Sequence, residues 1–353
     1  MAEEVWAERD TTPGAIEAAL RELLNQRHAI DEAFAPARVL NLVVIVDAAY
    51  AGEVENRLEA VGRYHPSRTV LCKVEAGRRS LDAWASLAFD DAVPVPGRLS
   101  VTRERVEISL GPHHLRGLAT IVDPLLVSDL ATVIWSPHGH DDAVQALRRH
   151  AQVVLLDSVG ADAVDGALAA AAEWARDLYV VDLAWLRSTP WRERLAAAFD
   201  PPEWRRGLGE ISAVTVRHRA DSSASAALFC GWLASRLGWR PETLTAHGDT
   251  LRGRARARRD EVALTLEPVP EMTSPGLSGV TVQTASGESV ALDRAPGGLR
   301  SVRVRRDGMR SVWTVLGASR GESGILGEGV RQALLRDPTY APALAAAREM
   351  IAS

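Results

Sequence analysis

Arg38-Val39-Leu40-Asn41-Leu42-Val43-Val44-Ile45-Val46-Asp47 is a near-continuous apolar run with one polar residue inside it. A short run rich in β-branched residues reads as a strand covered on both faces. It is far shorter than the ~20 apolar residues of a membrane span. Downstream, Val54, Leu58 and Val61 recur at helical spacing, and Thr69 to Val74 forms a second apolar run. Strand, helix and strand in that order predict a βαβ unit with parallel pairing. Upstream, Thr12-Pro13 supplies a capping hydroxyl and a proline for a helix that carries Ile16, Leu20, Leu23 and Leu24 on one face. The pattern continues with an alternating strand from Val101 to Leu110, a helix from His113 to Asp123 and a strand from Ala131 to Trp135. A helix from Asp141 to Arg149 and a strand from Val153 to Asp157 follow. Residues 1–160 are therefore expected to form an N-terminal α/β domain with a mostly parallel sheet.

The second half changes character. Ala161 to Trp174 is an Ala-rich bridging helix, and Leu183 to Phe199 is helical with an interruption at Pro190. Ile211 to His218 alternates as a strand, and Ser222 to Leu237 is a helix that Gly238 terminates. From Leu244 to Val315 the chain reads as strands and turns, with hairpins at Arg259-Asp260, Ser286-Gly287-Glu288 and Asp307-Gly308. Leu326 to Arg336 and Ala341 to Ile351 close the chain as helices. Residues 161–353 are expected to form a C-terminal α+β domain with a mainly antiparallel sheet.

Composition narrows the function classes. Of 353 residues, 46% are hydrophobic and 25% charged, which excludes a largely disordered chain. A formal net charge of −5 argues against general nucleic-acid binding, which demands positive charge against the phosphate backbone. Lys73 is the only lysine, so nearly every cation is an arginine, which binds bidentately and stays charged. Cys72 and Cys230 both sit in apolar runs, read as buried free thiols and leave no recognisable pair for redox regulation. The acidic N-terminus lacks the apolar core of a signal peptide and no run is long enough to span a membrane, so a cytoplasmic location is expected.

Three stretches invite chemistry. His138-Gly139-His140-Asp141-Asp142 follows a strand and resembles the HxHxDH signature of metallo-β-lactamase-fold hydrolases, but the match stops after His140. Its residues read rather as a helix start with Asp141 and Asp142 against the helix dipole, and His113-His114 reads as another helix start after Gly111-Pro112. Arg252, Arg254, Arg256 and Arg258 alternate with small residues, so a strand places all four on one face. That stripe is a solvated face, a docking surface for an acidic partner, or the anion site of a sugar-phosphate or nucleotide sensor. Trp185, Pro190, Trp191 and Arg192 form an aromatic and basic cluster of the kind that anchors interfaces, though Pro190 also suits a helix start that buries the indole. No dinucleotide or phosphate loop is present: Asp47-Ala48-Ala49-Tyr50-Ala51-Gly52 lacks GxGxxG, and no GxxxxGK[ST] occurs. No cofactor is expected, and no catalytic set assembles from spacing.

Four segments in order carry a resemblance. They are Arg38-Val39-Leu40-Asn41-Leu42-Val43-Val44 with His65-Pro66-Ser67-Arg68, Asp123-Pro124-Leu125-Leu126 through Asp129 to Trp135, Asp182-Leu183-Ala184-Trp185-Leu186-Arg187-Ser188-Thr189-Pro190-Trp191-Arg192, and Gly231-Trp232-Leu233-Ala234-Ser235-Arg236-Leu237-Gly238. Together they resemble the glucose-6-phosphate dehydrogenase assembly protein family, OpcA. The resemblance implies a two-domain protein that is not itself the dehydrogenase, and that binds glucose-6-phosphate dehydrogenase and promotes its active oligomer or its substrate affinity. A metal-dependent hydrolase at His138 and His140, or a sensor with an anionic small-molecule effector, are the alternative readings. Contact with the partner is expected at Trp185, Pro190, Trp191 and Arg192 and at Arg252, Arg254, Arg256 and Arg258.

Overall fold

A computed structural model describes residues 2–30, 36, 38–62, 66–89, 102–160, 163–258, 260–316 and 321–352. His65, Val101, Ala161, Asp162 and Arg259, which the sequence reading uses, lie outside the described residues. The chain divides into two compact units. The first comprises Met1–Leu156, Leu178–Val180 and Glu322–Leu334; the second comprises Asp157–Asp177, Val181–Gly321 and Leu335–Ser353.

In chain order the elements up to the second unit's sheet are β1 (Ala2–Glu8), α1 (Pro13–Ile30), β2 (Leu40–Asp47), α2 (Ala51–Gly62), β3 (Ser67–Val74), β4 (Asp82–Phe89) and β5 (Thr102–Leu110). There follow α3 (Leu118–Val122), β6 (Thr132–Trp135), α4 (Asp141–Leu147), β7 (Val153–Leu156), α5 (Val164–Trp174) and β8 (Tyr179–Asp182). The strands form an eight-stranded sheet in the order β1-β4-β5-β3-β2-β6-β7-β8. The pairs β5–β3, β3–β2, β2–β6 and β6–β7 are parallel; β4 and β1 extend one edge antiparallel. Central β2 pairs Val43 with Val70 on one side and Ile134 on the other, and its residues from Leu40 to Val46 are all buried. This is the mostly parallel sheet that the apolar run predicts. Three strands escape the sequence reading: β1, β4 and β8. Where one helix is expected from His113 to Asp123, Pro112, Gly117 and Pro124 leave two 3-10 turns around a five-residue α3.

The second unit continues with α6 (Leu183–Arg187), α7 (Thr189–Phe199), α8 (Pro202–Arg205), β9 (Ile211–Arg219) and α9 (Ser223–Leu237). Next come β10 (Arg240–Pro241), β11 (Thr245–His247), β12 (Thr250–Arg256), β13 (Glu261–Val269), β14 (Leu277–Thr284), β15 (Ser289–Ala295), β16 (Gly298–Val304) and β17 (Arg310–Leu316). The chain closes with α10 (Gly321–Leu335), which belongs mainly to the first unit, and α11 (Tyr340–Ile351). The nine-stranded sheet runs β10-β12-β13-β9-β14-β15-β16-β17, with β11 against β12, and every pair is antiparallel except β13–β9. Helix α9 covers the face carrying Val214, Val216, Leu264 and Leu266, and α11 lies along α9. That second contact is very close: a Cβ on Gly231 would sit 2.2 Å from the Ala343 carbonyl oxygen and 2.9 Å from the Ala347 nitrogen. The helical break expected at Pro190 falls at Ser188 instead, because proline fits the first turn of α7, where its missing N–H is no loss. No helix among the described residues is long and apolar enough to cross a membrane.

Candidate functional site

The segment from Asp182 to Arg192 folds into the centre of a buried polar network. Asp182 ends β8 with no exposed surface, accepting hydrogen bonds from the Ser158 hydroxyl (2.6 Å), the Ser158 and Ala184 amides (3.1 and 2.9 Å) and the Tyr340 hydroxyl (3.2 Å). Burial pushes its pKa up to about 6 despite these donors. Beside it, Arg187 grips Asp157 through both terminal nitrogens at 2.7 Å.

One turn on, the Trp185 indole N–H donates to Asp337 Oδ2 at 2.9 Å, and the Arg192 guanidinium lies 3.4 Å from the Trp185 ring centroid. Arg192 also donates to the hydroxyls of Ser188 (3.1 Å) and Thr189 (2.8 Å) and approaches Asp337 at 3.7 Å. Desolvation pulls its pKa down to about 10 against the pull of Asp337. Asp337 would be raised by burial alone, but two hydrogen bonds from Thr339 and one from Trp185 hold it below the usual carboxylate range. Trp185, Trp191 and Arg192 are 2%, 2% and 8% exposed, and Pro190 is half-buried. The expected contact surface is therefore corrected for Trp185, Trp191 and Arg192, which are turned into the unit's interior, where the Trp185 indole and the Arg192 guanidinium hold α6 and α7 to the segment before α11. A ring buried with its donor satisfied is worth more to folding than to surface contact.

The arginine stripe is different. Arg252, Arg254 and Arg256 stand on the outer face of β12 while Ala255 between them is fully buried, and Arg258 is exposed just beyond the strand. Arg254 pairs with Glu261 at 2.6 Å and Arg256 approaches Glu242 at 3.9 Å; the Arg254 and Arg256 side chains keep 66% and 72% of their surface. Arg252 and Arg258 form no ion pair among the described residues. The stripe is an open strip of partly compensated positive charge.

The two histidines of the metal-like stretch face different neighbours. His138 lies against the Tyr50 ring with centroids 4.5 Å apart, and His140 Nε2 lies 3.1 Å from Asp47 Oδ1. Burial lowers the His138 pKa. Among the described residues no group of three or more His, Cys, Asp or Glu could hold a metal ion. Cys72 and Cys230 are free and fully buried, with thiols pushed up to about 12, which leaves them unreactive.

The first two quoted segments meet in the first unit. The Asn41 amide donates to the Val127 and Leu130 carbonyls at 3.0 and 3.3 Å and accepts from the Val127 amide at 3.0 Å, latching the loop before β6. Arg38 and Arg68 both bind Glu104, which is 2% exposed, and Arg68 also donates to the Leu125 carbonyl at 3.1 Å. These long-range ties explain why the segments occur together.

Two domain families match the chain in series. Residues 58–173 match the N-terminal domain of the glucose-6-phosphate dehydrogenase subunit family, and residues 178–344 match the C-terminal domain of the same family. The chain belongs to the OpcA family. Curated relatives include the OxPP cycle protein OpcA of Synechococcus elongatus, 29% identical over 53% of this chain and 43% of its own length. The same protein of Synechocystis is 32% identical over 36% of this chain and 28% of its own. The chain thus spans less than half the length of the curated relatives it matches. Among solved structures, a super-repressor mutant of Gal80p from Saccharomyces cerevisiae aligns over 88% of this chain and 94% of its own, at 9% identity and a TM-score of 0.49.

Proposed function

We propose that this chain is a non-catalytic factor that binds glucose-6-phosphate dehydrogenase and raises its activity by favouring the active oligomer or the substrate-bound form. The observation that carries this reading is the pair of OpcA domains in series along the chain. The missing dinucleotide fingerprint at Asp47 to Gly52 supports a role without dehydrogenase chemistry of its own. An activator of this kind works only by binding the active form more tightly than the inactive one. The surface we assign to the contact is the exposed strip of Arg252, Arg254, Arg256 and Arg258, which offers unspent guanidinium donors to an acidic protein face.

The test mixes purified chain with the dehydrogenase of the same organism. Rates are measured across substrate concentrations, with light scattering on the same samples. Expected is a saturable rise in activity, with a lower apparent KM or a larger oligomer. By linkage, glucose 6-phosphate then tightens the complex by the factor by which the complex tightens substrate binding. A folded enzyme with neither a rate change nor a complex at micromolar protein defeats the proposal.

A further inference from the structure

The second unit holds a cleft of about 300 Å³ between the C-terminal turn of α7 and β15–β17, the three strands at one end of its sheet. Its walls include Leu299, Val315 and Trp313, and its polar groups are Arg194, Arg303 and Ser301. No carboxylate lines it. That volume is at the small end of ligand pockets, ~300–1,000 Å³, and suits a single small metabolite.

The polar groups are left incomplete in a way that packing does not explain. The Arg303 guanidinium lies 5.2 Å from the Trp204 ring centroid and 4.9 Å from that of Trp313. One terminal nitrogen donates to the carbonyls of Ala197, at 3.3 Å, and Ala198. This accounts for a cation at a helix C-terminus. It leaves Arg303 Nε buried without a partner, and the guanidinium has no ion pair among the described residues. Ser301 is 3% exposed and its hydroxyl is likewise buried with no hydrogen-bond partner. Buried donors are nearly always satisfied, so two orphans in one cleft call for an explanation. Arg194, exposed at the rim on α7, also makes no ion pair among the described residues.

We propose that this cleft binds a small organic anion, its carboxylate or phosphate held by Arg303 and Arg194 with Ser301 beside them, and its ring or chain lying against Trp313, Leu299 and Val315. Beyond the two carbonyls that Arg303 caps, neither guanidinium meets a carboxylate among the described residues, which leaves donors for charge-assisted hydrogen bonds to an anion. The apolar wall gives the ligand's body a surface that an inorganic ion cannot exploit. Burial also lowers the Arg303 pKa against the pull of Glu203. The site is independent of the dehydrogenase reading, and its test uses this chain alone.

Titration calorimetry on the full chain would use glucose 6-phosphate and cyclohexanecarboxylate as probes, with inorganic phosphate and glucose as comparisons. Binding of the sugar phosphate alone identifies a phosphate ester; binding of the carboxylate alone identifies a carboxylate; either supports the site. Arg303→Ala removes a helix cap and risks misfolding, so the deciding variants are Arg194→Ala and Ser301→Ala. Arg194→Ala is expected to weaken the bound probe by ~10-fold or more, and Ser301→Ala by several-fold. Ser301→Ala should leave the melting temperature unchanged or higher, since it deletes an orphan hydroxyl. Three results overturn the proposal: neither probe binding at millimolar concentration, inorganic phosphate binding as tightly as either probe, or both variants binding like the parent.

Discussion

Asp182 shows what a single residue in this network contributes. Its carboxyl is fully buried and titrates at about 6, against ~3.9 for an unperturbed aspartate. Between those values the folded chain keeps a proton that the unfolded chain has released. Stability is therefore fully present below about pH 4 and falls as pH rises through about 6, by about 3 kcal/mol from this group alone. Asp182→Asn removes the titration, and its amide can donate to the hydroxyls of Ser158 and Tyr340. Denaturant unfolding at acid and neutral pH should show the parent losing more stability than the variant as pH rises; equal slopes would mean that Asp182 is not the titrating group. Sequence reading finds this neighbourhood through Trp185, Trp191 and Arg192 but assigns them to a surface. The partners that bury them, Asp337 and Tyr340, lie 152 and 158 residues from the groups they bind, Trp185 and Asp182. No local pattern carries such a pairing. A tryptophan beside an arginine looks alike in sequence whether it faces solvent or core.

At the scale of elements, α9 and α11 pack with almost no side chain between them at Gly231. Gly231→Ala forces the helices apart and should cost about 1–3 kcal/mol or more in urea unfolding. A methyl group added at Gly327 in α10 would meet nothing within 4 Å, so Gly327→Ala should be neutral or stabilising by up to ~1 kcal/mol through helix propensity. If both substitutions cost the same, the close approach is not what Gly231 provides. The elements legible in sequence are those with a strong period: β2 and α9 appear within a few residues of their expected ends, and α2 spans the helical spacing of Val54, Leu58 and Val61. The missed ones lack that signal. β1 is an acidic edge strand that shows no apolar stripe, and β8 runs on into the apolar helix α6 with only Asp182 between, so no turn signal marks it off. β4 does bury Ala83, Ala85 and Leu87 in alternation, but alanine is a weak marker of a strand. The arginine stripe is legible because a period of two needs no distant partner, whereas the cleft at Arg303 is assembled by α7 and three strands and has no sequence signature.

At the scale of the whole molecule, charge reversal at Arg254 and Arg256 should weaken the complex we propose with glucose-6-phosphate dehydrogenase, and more at low salt than at high, because exposed charges are screened beyond ~8–10 Å at physiological ionic strength. Co-sedimentation across a salt series checks this; equal affinity of parent and variant at every salt would return the stripe to plain solvent duty. The division into units has its own test. A fragment ending at residue 160 lacks both β8 and α10, so the edge of β7, with Val153, Val154 and Leu155 buried in the full chain, is left bare. It should aggregate in gel filtration where the full chain does not; a monodisperse fragment would show that the later segments are dispensable. The same arrangement sets a timetable for synthesis. Segments of the first unit are separated by most of the second, and the last of them ends at Leu334. At ~5–20 residues per second, a ribosome takes on the order of ten seconds or more to translate that interval. Throughout it the nascent first unit has all eight strands but lacks α10, so this chain is expected to depend on chaperone cover during translation more than a protein whose domains are finished one after the other.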